Sequence, residues 1–230
     1  RNLCVSEIAK KNNLFVNFSN FDNINNKLGI PLFIGKKIYD KYIILNKNNY
    51  FDILNSLDIE YNLDAWKCYF QTKEIIAFLY NLLRNDYKNS IMNKNKFITR
   101  YNNNNDIFIH VRLGDIISKN PGLQYYLDAI KSINNYDNII IASDSPTHHI
   151  VKSLLTLKNS KLLCQDEIIT IQFASTCKNI ILSGGTFSAV IGYLGFYSTV
   201  YYPCFESTKE KNLVWYGDVQ TISEWNPIKF

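Results

Sequence analysis

The sequence predicts an α/β protein built on a parallel sheet. From residue 106 to residue 202, short apolar runs rich in Ile alternate with segments whose apolar residues recur at helical spacing. Several of the short runs are apolar throughout, which is typical of strands covered on both faces. Three of them end in polar residues or glycine. Strands and helices that alternate at this spacing indicate βαβ units and therefore a parallel sheet.

The first hundred residues contain fewer clear elements. We predict, in order, a helix over 3–12, a strand over 14–18, a turn at 29–31, a strand over 42–45 and a helix over 72–87. The hydroxyl of Thr72 is suited to cap the last helix. Because the chain is already helical at residue 3, and a domain rarely begins inside a helix, we expect a first strand and loop to precede Arg1.

The second half is more regular. We predict strands over 106–112, 138–144, 161–164, 179–183 and 199–202, and helices over 121–133, 146–155, 167–176 and 186–196. Ser145 is expected to cap the second of these helices, with Pro146 at its first position. Trp215 and Trp225 are expected to pack the C-terminal segment back onto a domain.

Composition narrows the class of protein. The chain has 230 residues, 47% of them hydrophobic, with a net charge of +5 and no dense Lys/Arg block, so we expect an anionic small ligand rather than nucleic acid. No apolar run is long enough to span a membrane. The five cysteines are odd in number and include no Cys-x-x-Cys pair, which favours free thiols in a reducing compartment. We expect the cytoplasm or the cytosolic face of a membrane; a lumenal location would require an anchor that has been removed.

The segment Ile107-Phe-Ile-His-Val-Arg-Leu-Gly-Asp115 is the most informative part of the chain. A buried strand delivers His110 and Arg112 to its carboxyl end, where open α/β sheets bind ligands. The guanidinium of Arg112 presents a planar fork of donors that suits a phosphate or a carboxylate. The alternative for this segment alone is a strand with one exposed Arg in a salt bridge.

Two further strand ends carry polar groups. One ends in Ser143 and Asp144, and the other continues into Ser183-Gly-Gly-Thr-Phe-Ser188. Glycines let backbone N–H groups approach an anion, and a helix N-terminus carries partial positive charge. Such a glycine-rich helix start is common by itself. Opposite Arg112 at one sheet edge, it predicts a clamp for a diphosphate.

Taken in order, these segments resemble the α-1,2-fucosyltransferase family and its α-1,6- and protein O-fucosyltransferase relatives. That family carries His-x-Arg-Arg-Gly-Asp after a strand, similar to the sequence here at 110–115. The other similar segments are Ile8–Val16, Cys68–Lys73, Tyr125–Ile130, Ala142–Asp144 and Ser175–Ser188. The resemblance spans about residues 5–205 and is more specific for the superfamily than for the sugar.

The resemblance implies a GT-B-like fold of two facing Rossmann-like domains with parallel sheets. Residues 1–100 would form the domain on the acceptor side, and residues 101–230 the domain that binds the nucleotide sugar. The implied reaction is inverting transfer of a sugar, L-fucose from GDP-fucose, to a glycan hydroxyl. It uses no metal and no cofactor, and the sequence contains no Asp-x-Asp motif.

The resemblance also implies roles for particular residues. Arg112 and Asp115 are the catalytic candidates. The donor-binding candidates are His110, Arg112, Asp144, Asp166, Gly185, Thr186, Phe187 and Ser188. Arg112, the Thr186 hydroxyl and the amides at 185–187 would stabilise the leaving diphosphate, and Asp166 would bind the nucleotide base. Asp115 is either the catalytic base or a holder of the turn, and a base from a loop before Arg1 is the rival.

The chain departs from the family pattern at several positions. Leu113 stands in place of the second Arg, Ala189-Val190 replaces a Trp pair, and the N-terminal Gly-x-Gly-Asn-Gln loop is absent. Two alternatives therefore stay open: transfer from another nucleotide sugar, and a non-catalytic module that binds a sugar or a nucleotide. His148 and His149 are adjacent and cannot share one helix face, so we do not expect a metal site there.

Overall fold

The computed structural model describes residues 1–18, 22–115, 117–204 and 222–230. The chain divides into two compact units, unit 1 (Arg1–Ile91) and unit 2 (Met92–Phe230). From the sequence, the boundary between the two domains was expected after residue 100. Among the described residues, no helix combines the length and the apolar character needed to cross a membrane.

Unit 1 is mostly helical, with a small parallel sheet. Its elements are α1 (Asn2–Asn12), α2 (Asp22–Lys27), β1 (Tyr42–Ile44), α3 (Tyr50–Asn55), β2 (Asn62–Asp64), α4 (Lys73–Leu82), a π-helical turn (Leu83–Tyr87) and the first part of α5 (Lys88–Lys94). Strands β1 and β2 pair in parallel, with Ile43 opposite Leu63. The Thr72 hydroxyl caps α4 by accepting from the N–H of Ile75, as predicted.

Unit 2 is a six-stranded parallel sheet with helical crossovers. A 3₁₀ turn (Ile98–Arg100) precedes β3 (Ile107–Val111), and a second 3₁₀ turn (Ile117–Lys119) follows it. The remaining elements are α6 (Gly122–Lys131), β4 (Ile139–Ser143), α7 (His149–Leu155), β5 (Ser160–Leu162), α8 (Glu167–Ala174), β6 (Asn179–Ile181), α9 (Thr186–Leu194), β7 (Thr199–Cys204) and β8 (Asn226–Lys229). The strand order is β5-β4-β3-β6-β7-β8, and every neighbouring pair is parallel. The predicted α/β class, with the two parallel sheets expected of a GT-B-like chain, is confirmed.

Strand β3 lies at the centre of this sheet, and all five of its residues are buried. Its apolar side chains pack with those of β4, α6 and α7 in the core of unit 2. This explains the continuous run Ile107–Ile109, because a strand covered on both faces has no solvent side on which polar residues would alternate.

Three local predictions were wrong. The segment 14–18 is not a strand; Leu14 makes only an isolated parallel bridge with Lys37. Helix α7 begins at His149 instead of Pro146, because the imidazole of His148 accepts from the N–H of Ile150 and caps the helix there. Ser145 therefore does not cap α7, and its N–H donates instead to the Ser143 hydroxyl.

The C-terminal strand β8 was not predicted at all. It follows Trp225, which is buried and stacks on Tyr193 with ring centroids 5.5 Å apart. The packing expected of Trp225 is therefore present, whereas Trp215 lies outside the described residues.

Candidate functional site

The candidate site lies where the strand order of unit 2 reverses. The chain runs from β3 outward through β4 to β5, and then returns to the other side of β3 to form β6. Parallel sheets bind ligands in the crevice at the carboxyl ends of the strands at such a switch point. The two segments that follow β3 and β6 are the ones that the sequence analysis selected, Arg112–Asp115 and Ser183–Ser188.

Arg112 is held at the end of β3 by its main chain and by its side chain. Its N–H donates to the Ser183 hydroxyl at 3.2 Å, and its guanidinium forms an ion pair with Asp115 at 2.7 Å. The side chain of Arg112 is 29% exposed and that of Asp115 is 68% exposed, so solvent weakens this pair. The Nε atom of Arg112 is buried and has no hydrogen-bond partner among the described residues. A buried donor without a partner suggests that a ligand completes the site.

The Asp144 carboxylate holds the turn after Arg112. Its two oxygens accept from the N–H groups of Leu113 at 2.8 Å and Gly114 at 3.1 Å. A Cβ on Gly114 would lie 2.9 Å from Asp144 Oδ2, so glycine is what allows this close approach. The structure therefore gives Asp144 a positioning contact with the turn.

His110 lies inside the fold beneath the site. It is 5% exposed, and its Nδ1 lies 2.6 Å from the Ser188 hydroxyl. Burial lowers the pKa of His110 to about 4, although Asp144 opposes this effect, so the ring is neutral near pH 7. The ring also packs against Phe187, with centroids 5.0 Å apart. His110 thus ties β3 to the first turn of α9.

The start of α9 has the features of an anion site. Gly185 precedes the helix with φ +98°, a conformation that favours glycine, and Thr186 is exposed at the first helical position. Among the described residues no side chain caps this helix, whereas Thr72 caps α4 and Asp166 caps α8. The first N–H groups of an uncapped helix are available to a ligand, and the helix dipole favours a negative one.

Asp166 lies at the start of a different helix, α8. Its carboxylate accepts from the N–H of Ile169 at 2.8 Å and so forms the N-cap of α8. The structure gives this residue a capping role; its expected contact with a nucleotide base stays a prediction.

The burial of Leu113 explains why Arg112 is the one cationic side chain in the motif 110–115. The side chain is 1% exposed and belongs to the apolar core of unit 2. An arginine at this position would have to leave the core or bury its charge. The turn therefore presents only the Arg112 guanidinium.

Two further residues contact this site and were not predicted from the sequence, Asn120 and Tyr126. Asn120 donates to the Arg112 carbonyl at 2.8 Å and to the Tyr126 hydroxyl at 3.0 Å. Tyr126 lies in the segment Tyr125–Ile130 that resembles the family, but the sequence gives no sign that its hydroxyl approaches the site. Among the described residues, no group of three or more His, Cys, Asp or Glu side chains could hold a metal ion.

Comparison with known proteins gives one similar structure. No protein-family model matches the chain, and no curated protein matches it significantly. The fucosyltransferase NodZ from Bradyrhizobium has a similar structure, with a TM-score of 0.40 and 14% sequence identity. The match covers 67% of this chain and 58% of NodZ.

Proposed function

We propose that unit 2 binds the diphosphate of a nucleotide sugar and that the chain is an inverting, metal-independent glycosyltransferase. The observation that carries this proposal is the juxtaposition of Arg112 with the uncapped start of α9 at the switch point of the sheet. The order of the sequence motifs favours GDP-fucose as the donor and a glycan hydroxyl as the acceptor. Because the buried Leu113 stands where the family has a second Arg, a different nucleotide sugar remains the alternative donor.

The chemistry asks the site to stabilise charge on the leaving diphosphate. The Arg112 guanidinium would pair with one phosphate, and the first amides of α9 with the Thr186 hydroxyl would bind the other. These donors are fixed in place before the reaction, so little reorganisation is needed as negative charge develops. Gly185 keeps side-chain atoms away from the backbone that would contact the phosphate.

Asp115 is our candidate for the base that deprotonates the acceptor hydroxyl. Its exposed carboxylate already pairs with Arg112, so it can equally act by holding the guanidinium. Asp115→Asn separates the two roles. Loss of turnover with donor affinity retained assigns the base, and loss of both assigns the holder. A base supplied from outside the sequence of unit 2 is the rival, and turnover retained in Asp115→Asn would support it.

One observation favours a second candidate, a non-catalytic module that binds a nucleotide or a sugar. The carboxylates of Asp115, Asp144 and Asp166 all make hydrogen bonds or ion pairs within the protein. If none of them leaves its partner, the site binds a nucleotide sugar without activating an acceptor.

A thermal-shift screen against GDP, UDP, CDP and their sugars tests binding, because a ligand specific to the folded state raises its melting temperature. We expect stabilisation by GDP and GDP-fucose and none in Arg112→Ala, with Lys131→Ala as an exposed cationic control on α6. Unchanged GDP affinity in Arg112→Ala would contradict the proposed diphosphate clamp.

Release of GDP from GDP-fucose, with and without an oligosaccharide panel, then separates enzyme from binding module. Turnover that depends on an oligosaccharide supports the transferase. Binding without turnover on the whole panel supports the module.

A further inference from the structure

A closed ring of hydrogen bonds surrounds the main chain of Arg112. The Arg112 N–H donates to Ser183 Oγ at 3.2 Å, and the Tyr126 hydroxyl donates to the same oxygen at 3.2 Å. The Asn120 amide donates to the Tyr126 hydroxyl at 3.0 Å and to the Arg112 carbonyl at 2.8 Å. Both polar main-chain groups of Arg112 are therefore fixed by side chains from other segments.

The ring also joins the two halves of the candidate clamp. Ser183 begins the segment that leads into α9, and its N–H donates to Ser188 Oγ at 3.0 Å within that helix. Tyr126 reaches this point from α6, the helix that follows the turn carrying Arg112. A shift of Tyr126 would therefore change the placement of Arg112 relative to the helix start.

The members of the ring are suited to a rigid role. Tyr126 and Ser183 are both fully buried. Burial raises the pKa of Tyr126 to about 12, so its hydroxyl remains a donor across the physiological range. The Asn120 oxygen is occupied by the N–H of Gly122 at 2.9 Å, which fixes the orientation of the amide.

We propose that Tyr126 is a positioning residue, acting with Asn120 and Ser183 to hold Arg112 at the distance from α9 that selects a diphosphate over a monophosphate. This inference rests on the proposed function, because it assigns the origin of phosphate selectivity at that same site. Tyr126 does not touch the ligand; it acts through Arg112.

Tyr125 provides a matched control for this role. It is the neighbouring residue of α6, is equally buried, and donates its hydroxyl to the Leu182 carbonyl at 2.7 Å. Tyr125→Phe and Tyr126→Phe each remove one buried hydroxyl from the same helix, but only Tyr126 belongs to the ring.

The experiment measures the affinities of GDP, GMP and guanosine for the wild type and both variants, together with their thermal unfolding. We expect Tyr126→Phe to weaken GDP binding about tenfold, GMP binding less, and guanosine binding less than twofold. Tyr125→Phe should lower the melting temperature by a similar amount while changing GDP affinity less than threefold. In the Arg112→Ala background, Tyr126→Phe should cause no further loss of GDP affinity.

The outcomes separate this inference from the function on which it rests. If the wild type binds no GDP, the GDP-fucose proposal fails and this inference fails with it. If the wild type binds GDP but the two Tyr variants lose equal affinity, or GDP and guanosine weaken in parallel, only the positioning role is overturned. If Tyr126→Phe does not fold, Asn120→Ala serves as the second variant, because Asn120 is a half-buried member of the same ring. We expect the same pattern of GDP, GMP and guanosine affinities in it.

Discussion

His110 and Ser188 are 78 residues apart in the sequence, yet His110 Nδ1 lies 2.6 Å from the Ser188 hydroxyl inside unit 2. The Ser188 oxygen also accepts from the N–H of Ser183, so its own proton can be donated to the neutral imidazole. This pair joins the strand that leads to Arg112 to the helix that would bind the phosphate. We therefore expect the His110–Ser188 contact to contribute to the stability of unit 2 and to the placement of the candidate site.

Ser188→Ala should destabilise the protein by about 2 kcal/mol, because it leaves a buried imidazole nitrogen and a buried N–H unsatisfied. Thr186→Ala, two residues earlier and exposed, should change the free energy of unfolding by less than about 0.5 kcal/mol. Its effect should fall on GDP affinity instead. Urea unfolding and GDP titration of both variants measure the contrast. Equal stabilities in the two variants would contradict the importance of the buried pair.

The low pKa of His110 predicts a pH dependence of stability with a defined sign. The folded state holds the pKa near 4, below the ordinary value of 6.5, so the unfolded chain binds the proton more readily. The contribution of His110 is therefore fully present above about pH 6.5 and is lost as the pH falls toward 4, by at most about 3 kcal/mol.

The chain has three histidines, so a background with His148→Gln and His149→Gln leaves only His110 to titrate among them. Replacing His110 by Gln in that background should flatten the stability profile between pH 4 and pH 6.5. A slope that persists after this replacement would assign the effect to other groups.

Gly114→Ala should weaken nucleotide binding, because the new Cβ lies 2.9 Å from Asp144 Oδ2 and must displace it. Moving that oxygen breaks its hydrogen bond to the turn that follows Arg112. Gly192→Ala is the control, since its Cβ would lie 2.7 Å from the Trp225 ring, in contact with the packing of α9 rather than the turn. Isothermal titration with GDP should show a loss of several-fold in Gly114→Ala. The control should lose stability with its GDP affinity nearly unchanged.

The parts of the fold that could be predicted from the sequence are those with clear apolar runs or a regular spacing of apolar residues. Strand β3 was recognisable because burial on both faces requires a continuous apolar run. Strand β2 is only three residues long and contains no apolar run, so it was not predicted, whereas the equally short β1 was recognisable from its apolar residues. Strand β8 contains Pro227, which argues against a central strand, and it is in fact the edge strand of the sheet.

The candidate site was predictable in its segments but not in its contacts. The motif that contains Arg112 and the glycine-rich helix start could be read from residue types at strand ends. The contact between His110 and Ser188 depends on the register of β3 against β6, in which Ile109 lies opposite Ile181. Periodicity does not carry that information. The ring through Tyr126 depends in the same way on how α6 packs on the sheet.

Asp166 offers a test that separates a structural role from a functional one. Asp166→Ala should destabilise the protein by about 1 kcal/mol through loss of the α8 cap, and Asp166→Ser should recover most of this because serine caps helices well. If Asp166 is only a cap, both variants bind GDP with wild-type affinity. If the second carboxylate oxygen also contacts the guanine base, Asp166→Ser regains stability while GDP affinity stays low and pyrophosphate affinity is unaffected. We expect the first result, because the Asp166 carboxylate caps α8 and, among the described residues, forms no hydrogen bond with those that hold Arg112.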